Sequence, residues 1–143
     1  AGGEIELRRE WRRGIMLSGS YGYQQARLLD ATLKNPALVN APEHLASARF
    51  VVPAIKDVAS LGFRATLESP RRIDAATPDR TDFALVADAT ISGAFREVGV
   101  RYVVGLYNIA DRKYQVPVAG DFASRTTPQN GRTFLLDLLW TWP

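Results

Sequence analysis

The C-terminal stretch of the chain alternates between apolar and polar positions more regularly than any other part. Every second residue from Phe134 to Trp142 is large and apolar, and Thr133, Asp137 and Thr141 occupy the intervening register. Successive side chains of a β-strand point to opposite faces, so the pattern predicts a strand with one apolar face. That face carries Phe134, Leu136, Leu138, Trp140 and Trp142. An apolar face at the end of a chain needs some apolar phase to cover it, and a lipid bilayer is the natural candidate.

The same alternation recurs along the chain and predicts seven strands. They are residues 3–11, 15–25, 44–52, 58–69, 82–95, 98–108 and 131–142. The connections alternate strictly in length: 12–14, 53–57 and 96–97 are short, whereas 27–43, 70–81 and 109–130 are long. In an antiparallel sheet the short turns then lie at one end and the long loops at the other. The pattern predicts an all-β fold, an antiparallel up-and-down segment of a transmembrane β-barrel with short periplasmic turns and long extracellular loops.

Aromatic residues gather near both ends of the predicted sheet. Trp11, Phe95, Trp140 and Trp142 fall at the short-turn end, and Tyr23, Phe83 and Phe134 fall toward the long-loop end. Amphipathic rings suit the headgroup level of a bilayer, so we expect two interfacial girdles.

Composition narrows the function. The chain has 143 residues, 46% of them hydrophobic, without the roughly 20-residue apolar run of a membrane-spanning helix. It has no cysteine, and His44 is its only histidine, which excludes disulfide scaffolds, histidine-based triads and His/Cys metal clusters. We therefore predict that the chain is not an enzyme and holds no metal or cofactor. Acids accompany the arginine pairs in a chain of net charge +3, which argues against nucleic acid as a partner.

Charged residues on the face opposite the apolar one are predicted to line a wet lumen. These residues are Arg64, Glu68, Asp88, Arg101 and Asp137. We favour this interpretation over acid/base catalysis, because nothing in the sequence indicates perturbed pKa values among them.

Four short segments resemble motifs of one receptor family, in the family's order. They are Tyr21-Gly22-Tyr23, Asn40-Ala41-Pro42-Glu43-His44, Asn108-Ile109-Ala110-Asp111-Arg112-Lys113-Tyr114 and Pro128-Gln129-Asn130-Gly131-Arg132-Thr133-Phe134. Together they resemble the C-terminal part of the β-barrel of a TonB-dependent outer-membrane receptor. The chain departs from that family where Ala110 replaces an aromatic residue and where Pro143 follows the terminal Trp142.

The resemblance implies a location in the outer membrane and a role in the energised uptake of a scarce ligand such as a ferric siderophore. It implies as partners the outer-membrane lipid, the remaining barrel strands and a plug domain, the TonB complex indirectly, and the barrel-assembly machinery. We expect residues 1–143 to be one barrel portion without plug domain or signal peptide. Trp140 and Trp142 would form the assembly signal, and Asn108 and Asp111 would organise a turn. Loop arginines that suit an anionic ligand are Arg71, Arg72, Arg80 and Arg125.

Two other interpretations remain open at this point. A soluble, lipocalin-like barrel that binds a small apolar ligand would show the same alternation with its faces inverted. A non-transporting outer-membrane barrel would share the strands but not the segment from Asn108 to Tyr114.

Overall fold

A computed structural model describes residues 1–27, 38–56, 58–75, 77–118 and 122–142. Within these ranges the chain forms the strands β1 (Gly2–Glu10), β2 (Met16–Gln24), β3 (His44–Ile55), β4 (Ala59–Glu68), β5 (Ala84–Phe95), β6 (Val100–Tyr107), β7 (Gln115–Pro117), β8 (Thr126–Pro128) and β9 (Thr133–Trp140). A single 3₁₀ turn at Arg96–Val98 joins β5 to β6. No helix within the described ranges is long and apolar enough to cross a membrane.

Seven of these strands form one sheet in the order β1-β2-β3-β4-β5-β6-β9. Every neighbouring pair is antiparallel. The predicted all-β, up-and-down arrangement is therefore confirmed. Within the described residues no ladder joins β9 back to β1, so the sheet ends in two open edges.

All three short connections differ from their predicted lengths, and the first spans residues 11–15 where 12–14 was predicted. The third strand continues past Val52 to Ile55, with a register shift between Pro53 and Ile55. Proline has no N–H to donate to a neighbouring strand, so Pro53 was predicted to begin a turn. In the structure it is part of the strand, next to the register shift. The predicted two-residue turn after β5 is wrong: the 3₁₀ turn and Gly99, in the left-handed region, complete that reversal.

The longest connection contains a second, two-stranded sheet that the sequence did not predict. Strands β7 and β8 have three residues each and pair from Gln115–Pro128 to Pro117–Thr126. Three residues are too few to show an alternation, and each strand ends in a proline.

The strand register collects the apolar side chains on one face of the sheet. One row of cross-strand neighbours runs Arg9, Leu17, Phe50, Phe63, Ala89, Leu106 and Phe134. The adjacent row on the opposite face runs Arg8, Ser18, Arg49, Arg64 and Asp88. We call these the apolar face and the polar face.

The apolar face has no protein layer over it. Leu136 and Leu138 are 56% and 63% exposed, and Ala84 is the one buried hydrophobic residue in the described part of the chain. The polar face is less uniform than predicted, because β9 also places Leu135 and Leu139 there, both exposed. Both faces of the sheet are therefore accessible to solvent, one largely apolar and the other largely polar. No second layer of the described residues packs on either face to form a hydrophobic core.

Candidate functional site at the long-loop end of the sheet

Three connections meet at the end of the sheet where β2, β4 and β6 finish. The Asn40 N–H donates to the Arg72 carbonyl at 2.9 Å, which joins the first long connection to the second. Arg125 Nη1 lies 3.0 Å from Asp74 Oδ2, which joins the second connection to the third. We call this assembly of residues 38–43, 70–75, 77–81, 108–118 and 122–132 the loop cluster.

Arg72 is enclosed within the loop cluster. Its side chain is buried, with Nε donating to the Asp74 carbonyl and Nη2 to the Thr77 carbonyl, each at 2.9 Å. An isolated β-bridge pairs Arg72 with Arg80. Because its guanidinium is committed to loop carbonyls, Arg72 serves to shape the second long connection.

The other three predicted loop arginines are more accessible, and each faces an acid. Arg71 Nη2 pairs with Glu68, and its Nη1 donates to Asn40 Oδ1 at 3.0 Å. Arg80 and Arg125 reach Glu43 and Asp74, with side chains 48% and 63% exposed. The structure therefore separates the four candidates into one buried arginine and three that are half-buried or exposed.

Two open grooves cross the loop cluster. One, of about 450 Å³, is lined by Val39, Ile73, Asp74, Ala75, Val118, Phe122, Ala123 and Arg125. The other, of about 410 Å³, brings Arg80 together with Lys113 and Tyr114. Phe122, which lines the first groove, is 67% exposed. Sequence reasoning missed Phe122, Lys113 and Tyr114, since only the path of the third connection brings them beside the arginines.

A buried carboxylate ties the loop cluster to the polar face. Asp88 is 5% exposed, and its Oδ2 accepts from Arg64 Nε at 2.8 Å and Nη2 at 2.6 Å. Its Oδ1 accepts the backbone N–H of Asn108 at 2.9 Å. The predicted face of Asp88 and Arg64 is correct, but their link to Asn108 depends on a register that the sequence alone does not show.

Asn108 stabilises the turn by which the chain leaves β6. It has φ +50°, and its Oδ1 accepts the Arg112 N–H at 2.8 Å. Its Nδ2 donates to the carbonyls of Arg112 and Asn130, at 2.9 and 3.1 Å. One buried amide therefore joins the beginning of the third connection to its end.

Asp111 forms a second clasp across the same connection. It has φ +51°, and its Oδ1 accepts the Arg132 backbone N–H at 2.8 Å and Lys113 Nζ at 3.0 Å. The Arg132 hydrogen bond, and secondarily the one from Lys113, holds the pKa of the Asp111 carboxyl below its ordinary value.

Aromatic clusters occupy both ends of the sheet on the apolar face. At the short-turn end Trp140 and Trp142 meet edge to face at 5.2 Å, and Trp140 Nε1 donates to the Val98 carbonyl at 3.1 Å. At the long-loop end His44 lies 5.1 Å from the ring of Tyr23, and its Nδ1 is 2.7 Å from Tyr21 Oη. His44 therefore belongs to an aromatic rim. No group of three or more potential metal ligands occurs among the residues described.

Comparison with known proteins bears on the fold. No protein-family profile matches the sequence, and no curated protein does. Among solved structures, the chain is similar to BauA, the ferric preacinetobactin receptor from Acinetobacter baumannii, with a TM-score of 0.77 and 16% identity. The similarity covers 96% of this chain and 21% of BauA, so the chain spans about a fifth of that receptor. At this identity the likeness shows a shared sheet architecture.

Proposed function

We propose that residues 1–143 form the C-terminal part of the β-barrel of a TonB-dependent outer-membrane receptor. The receptor takes up a scarce ligand, such as a ferric siderophore, by an energised mechanism. Its partners are outer-membrane lipid, the remaining barrel strands and plug domain, the TonB complex indirectly, and the assembly machinery that reads the C-terminal strand with Trp140 and Trp142.

The observation that carries the proposal is the uncovered apolar face. It extends over all seven strands of the main sheet, and its large residues stay exposed, from Leu7 at 69% to Trp140 at 62%. Soluble monomeric proteins rarely expose a contiguous apolar surface of that extent. A bilayer covers it, and aromatic rims at both ends match the headgroup levels.

The polar face supports a lumen. The third connection begins beside it, where the Asn108 N–H donates to Asp88, and these two polar residues are buried, at 3% and 5% exposure. A lipocalin-like barrel would need the apolar face inside and this connection outside. The grooves that hold Arg80 and Arg125 favour a barrel that binds a ligand over a purely structural one. The shared architecture with part of a ferric preacinetobactin receptor is a further support for the receptor assignment.

The bilayer part of the proposal is tested with single cysteines, since the chain has none of its own. A fluorophore on Leu136→Cys is expected to be quenched by lipid-borne quenchers in liposomes, and one on the neighbouring Asp137→Cys is not. The two positions share a strand and differ only in face, so each is the other's control. Quenching at Asp137→Cys alone would indicate the inverted, lipocalin-like barrel.

The transport part is tested in cells that lack the protein containing this chain. We expect them to lose uptake of the iron-loaded ligand, with recovery on complementation that disappears when the proton-motive force is collapsed. Arg80→Gln with Arg125→Gln is expected to weaken ligand capture about tenfold, because charge-assisted hydrogen bonds are lost. Arg12→Gln with Arg13→Gln, in the first short turn, is the matched control, because it removes two charges at the opposite end of the sheet. Uptake that survives an uncoupler would contradict energised transport.

A further inference from the structure

Both grooves of the loop cluster are built from the same two connections. Each is lined partly by residues of the second long connection and partly by residues of the third. The third connection contributes Val118, Phe122, Ala123 and Arg125 to one groove, and residues 113–115, 126, 128 and 129 to the other. The width of both grooves therefore depends on how the third connection lies against the second.

Within the third connection, β7 and β8 form a short ladder. Its base is closed by the Gln129 N–H, which donates to the Tyr114 carbonyl at 3.0 Å, and its tip by the Val118 N–H, which donates to the Arg125 carbonyl at 3.1 Å. We call this segment the β7–β8 ladder. It is about 13 Å long, at about 3.3 Å per residue. A two-stranded ladder on its own is marginally stable in water, so its position depends on what holds its base.

The residues that precede the base of the ladder are tied to the beginning of β5. Three hydrogen bonds make this connection: from the Asn108 N–H to Asp88 Oδ1 at 2.9 Å, from the Ile109 N–H to the Ala87 carbonyl at 2.8 Å, and from Arg112 Nη2 to the Phe83 carbonyl at 3.1 Å. Two of the acceptors are backbone carbonyls. Asp88 is the one acceptor of these three that a side chain supplies, and it binds the residue whose amide joins both ends of the connection.

Arg64 fixes the orientation of Asp88 from the other side. The two residues are cross-strand neighbours of β4 and β5 on the polar face. Asp88 Oδ2 accepts from the Arg64 guanidinium while Oδ1 accepts the Asn108 N–H, so both carboxylate oxygens are engaged in a buried position. Charge-assisted hydrogen bonds of this kind are short and directional. Asp88 therefore fixes the beginning of the third connection relative to the wall of the main sheet.

We propose that Asp88, oriented by Arg64, positions the β7–β8 ladder and so sets the width of the two grooves. Asp88 is not among the described residues that line either groove, so it acts through the ladder. A tilt of about 10° at the base moves the tip of the ladder by about 2 Å, whereas the N···O distances of hydrogen bonds span only about 2.7–3.2 Å. The reach of Arg125 into its groove thus depends on a residue of the sheet wall. That the grooves take the ligand rests on the proposed function; the position of the ladder does not.

The test measures the distance between two nitroxide labels in the groove that holds Arg125. Ala75→Cys on the second connection and Ala123→Cys on the third carry the labels, since the chain has no cysteine of its own. Dipolar broadening of the EPR spectrum gives their separation in the full protein in lipid vesicles. Asp88→Ala is expected to change the mean separation by about 2 Å or more, because the base of the ladder loses its side-chain acceptor. Asp88→Val also lacks the acceptor and suits a strand, so it replaces Asp88→Ala if that variant does not fold.

Two control variants are expected to keep the wild-type separation. Asp88→Asn retains a carbonyl oxygen that accepts the Asn108 N–H, and so restores the anchor. Tyr102→Phe removes one hydrogen bond from a side chain to the backbone, to the Val58 carbonyl at 3.1 Å, close to the short-turn end. A loss of general stability would act in all these variants, whereas a positioning role acts in Asp88→Ala and Asp88→Val alone.

Three results would overturn the inference. They are an unchanged separation in Asp88→Ala and Asp88→Val, a change in Tyr102→Phe as large as theirs, and a change in Asp88→Asn as large as theirs. The proposed function is decided separately, by the Leu136→Cys fluorophore and the uncoupler. If those tests fail while the separation changes as expected, only the proposed function fails; if they succeed and the separation is unchanged, only the role of Asp88 fails.

Discussion

At the short-turn end the chain reverses through Gly14 and Gly99, at φ +78° and +66°, whereas at the long-loop end the described residues with positive φ are Asn40, Asn108 and Asp111. Glycine adopts this conformation without strain, and Asn and Asp tolerate it. The choice follows from what surrounds each turn. In a short turn another backbone segment lies so close that a Cβ atom would clash with it. In a long loop, polar side chains form the hydrogen bonds that fix the conformation of the loop.

The contacts at each end bear this out. A Cβ on Gly99 would lie 2.3 Å from the Thr141 carbonyl oxygen, and the Gly99 carbonyl accepts both the Thr141 N–H and its hydroxyl. Asn40, Asn108 and Asp111 instead bind other loop residues through their side chains. The short-turn end is therefore fixed by backbone proximity and the long-loop end by polar side chains.

The largest effect that would test this difference is expected at Gly93, close to the short-turn end. A Cβ there would lie 1.7 Å from the Val58 carbonyl oxygen, which already accepts from Tyr102 Oη at 3.1 Å. Gly93→Ala is expected to destabilise the protein by about 3 kcal/mol or more, because backbone must move. Urea unfolding in lipid vesicles, followed by tryptophan fluorescence, measures it.

Gly19→Ala is the matched control, since it lies on the same face and its Cβ would meet the Ser47 carbonyl at an ordinary 3.6 Å. It is expected to unfold at or slightly above the wild-type urea concentration. Equal stability of the two variants would contradict the close-packing account of the short-turn end.

Gly93 also shows how far the sequence could be read. Alternation over eight or more residues predicted the seven strands of the main sheet and the residues that share a face. The side chains of a strand alternate between its two faces whichever strand lies next to it, so this pattern can be found in the sequence alone. Gly93 appeared there only as a small residue in the apolar register. Its contact with Val58 depends on the register of β4 against β5, which the sequence leaves undetermined.

The same reason separates the loop arginines. Arg71 and Arg72 are neighbours in the sequence and equal as candidates, yet only Arg72 turns inward to bind two loop carbonyls. The link from Asp88 to Asn108 spans 20 residues. Contacts of this kind follow from the path of irregular loops, for which no periodic signal exists.

A medium effect is expected at Asn108, at the opposite end. Asn108→Ala removes the three side-chain hydrogen bonds and replaces a residue that tolerates positive φ with one that does not. It is expected to lower the free energy of unfolding by about 2–3 kcal/mol. Asn108→Gly keeps the backbone conformation and should cost less. Unfolding in urea ranks the two variants, and limited proteolysis within residues 109–130 reports local opening.

The reciprocal variant completes this test. Gly99→Asn places at the short-turn end the residue type that adopts positive φ in the long loops. It is expected to destabilise the protein, because its Cβ would meet the Thr141 carbonyl oxygen. If it is as stable as the wild type, the two ends are interchangeable and the comparison is wrong.

The smallest effect is a pH dependence confined to the long-loop end. Since the pKa of Asp111 is lowered from its ordinary value of 3.8 in the folded protein, its clasp is fully present above about pH 3.8. It is lost as the pH falls through the lower, folded pKa, whereas the Gly99–Thr141 contact has no titrating group. An NMR titration of the Arg132 amide in micelles is expected to show a midpoint below 3.8, and Asp111→Asn removes the transition. Lys113→Gln should keep most of the lowering, because the Arg132 N–H is its main cause; a midpoint restored to the ordinary value would assign the lowering to Lys113 instead.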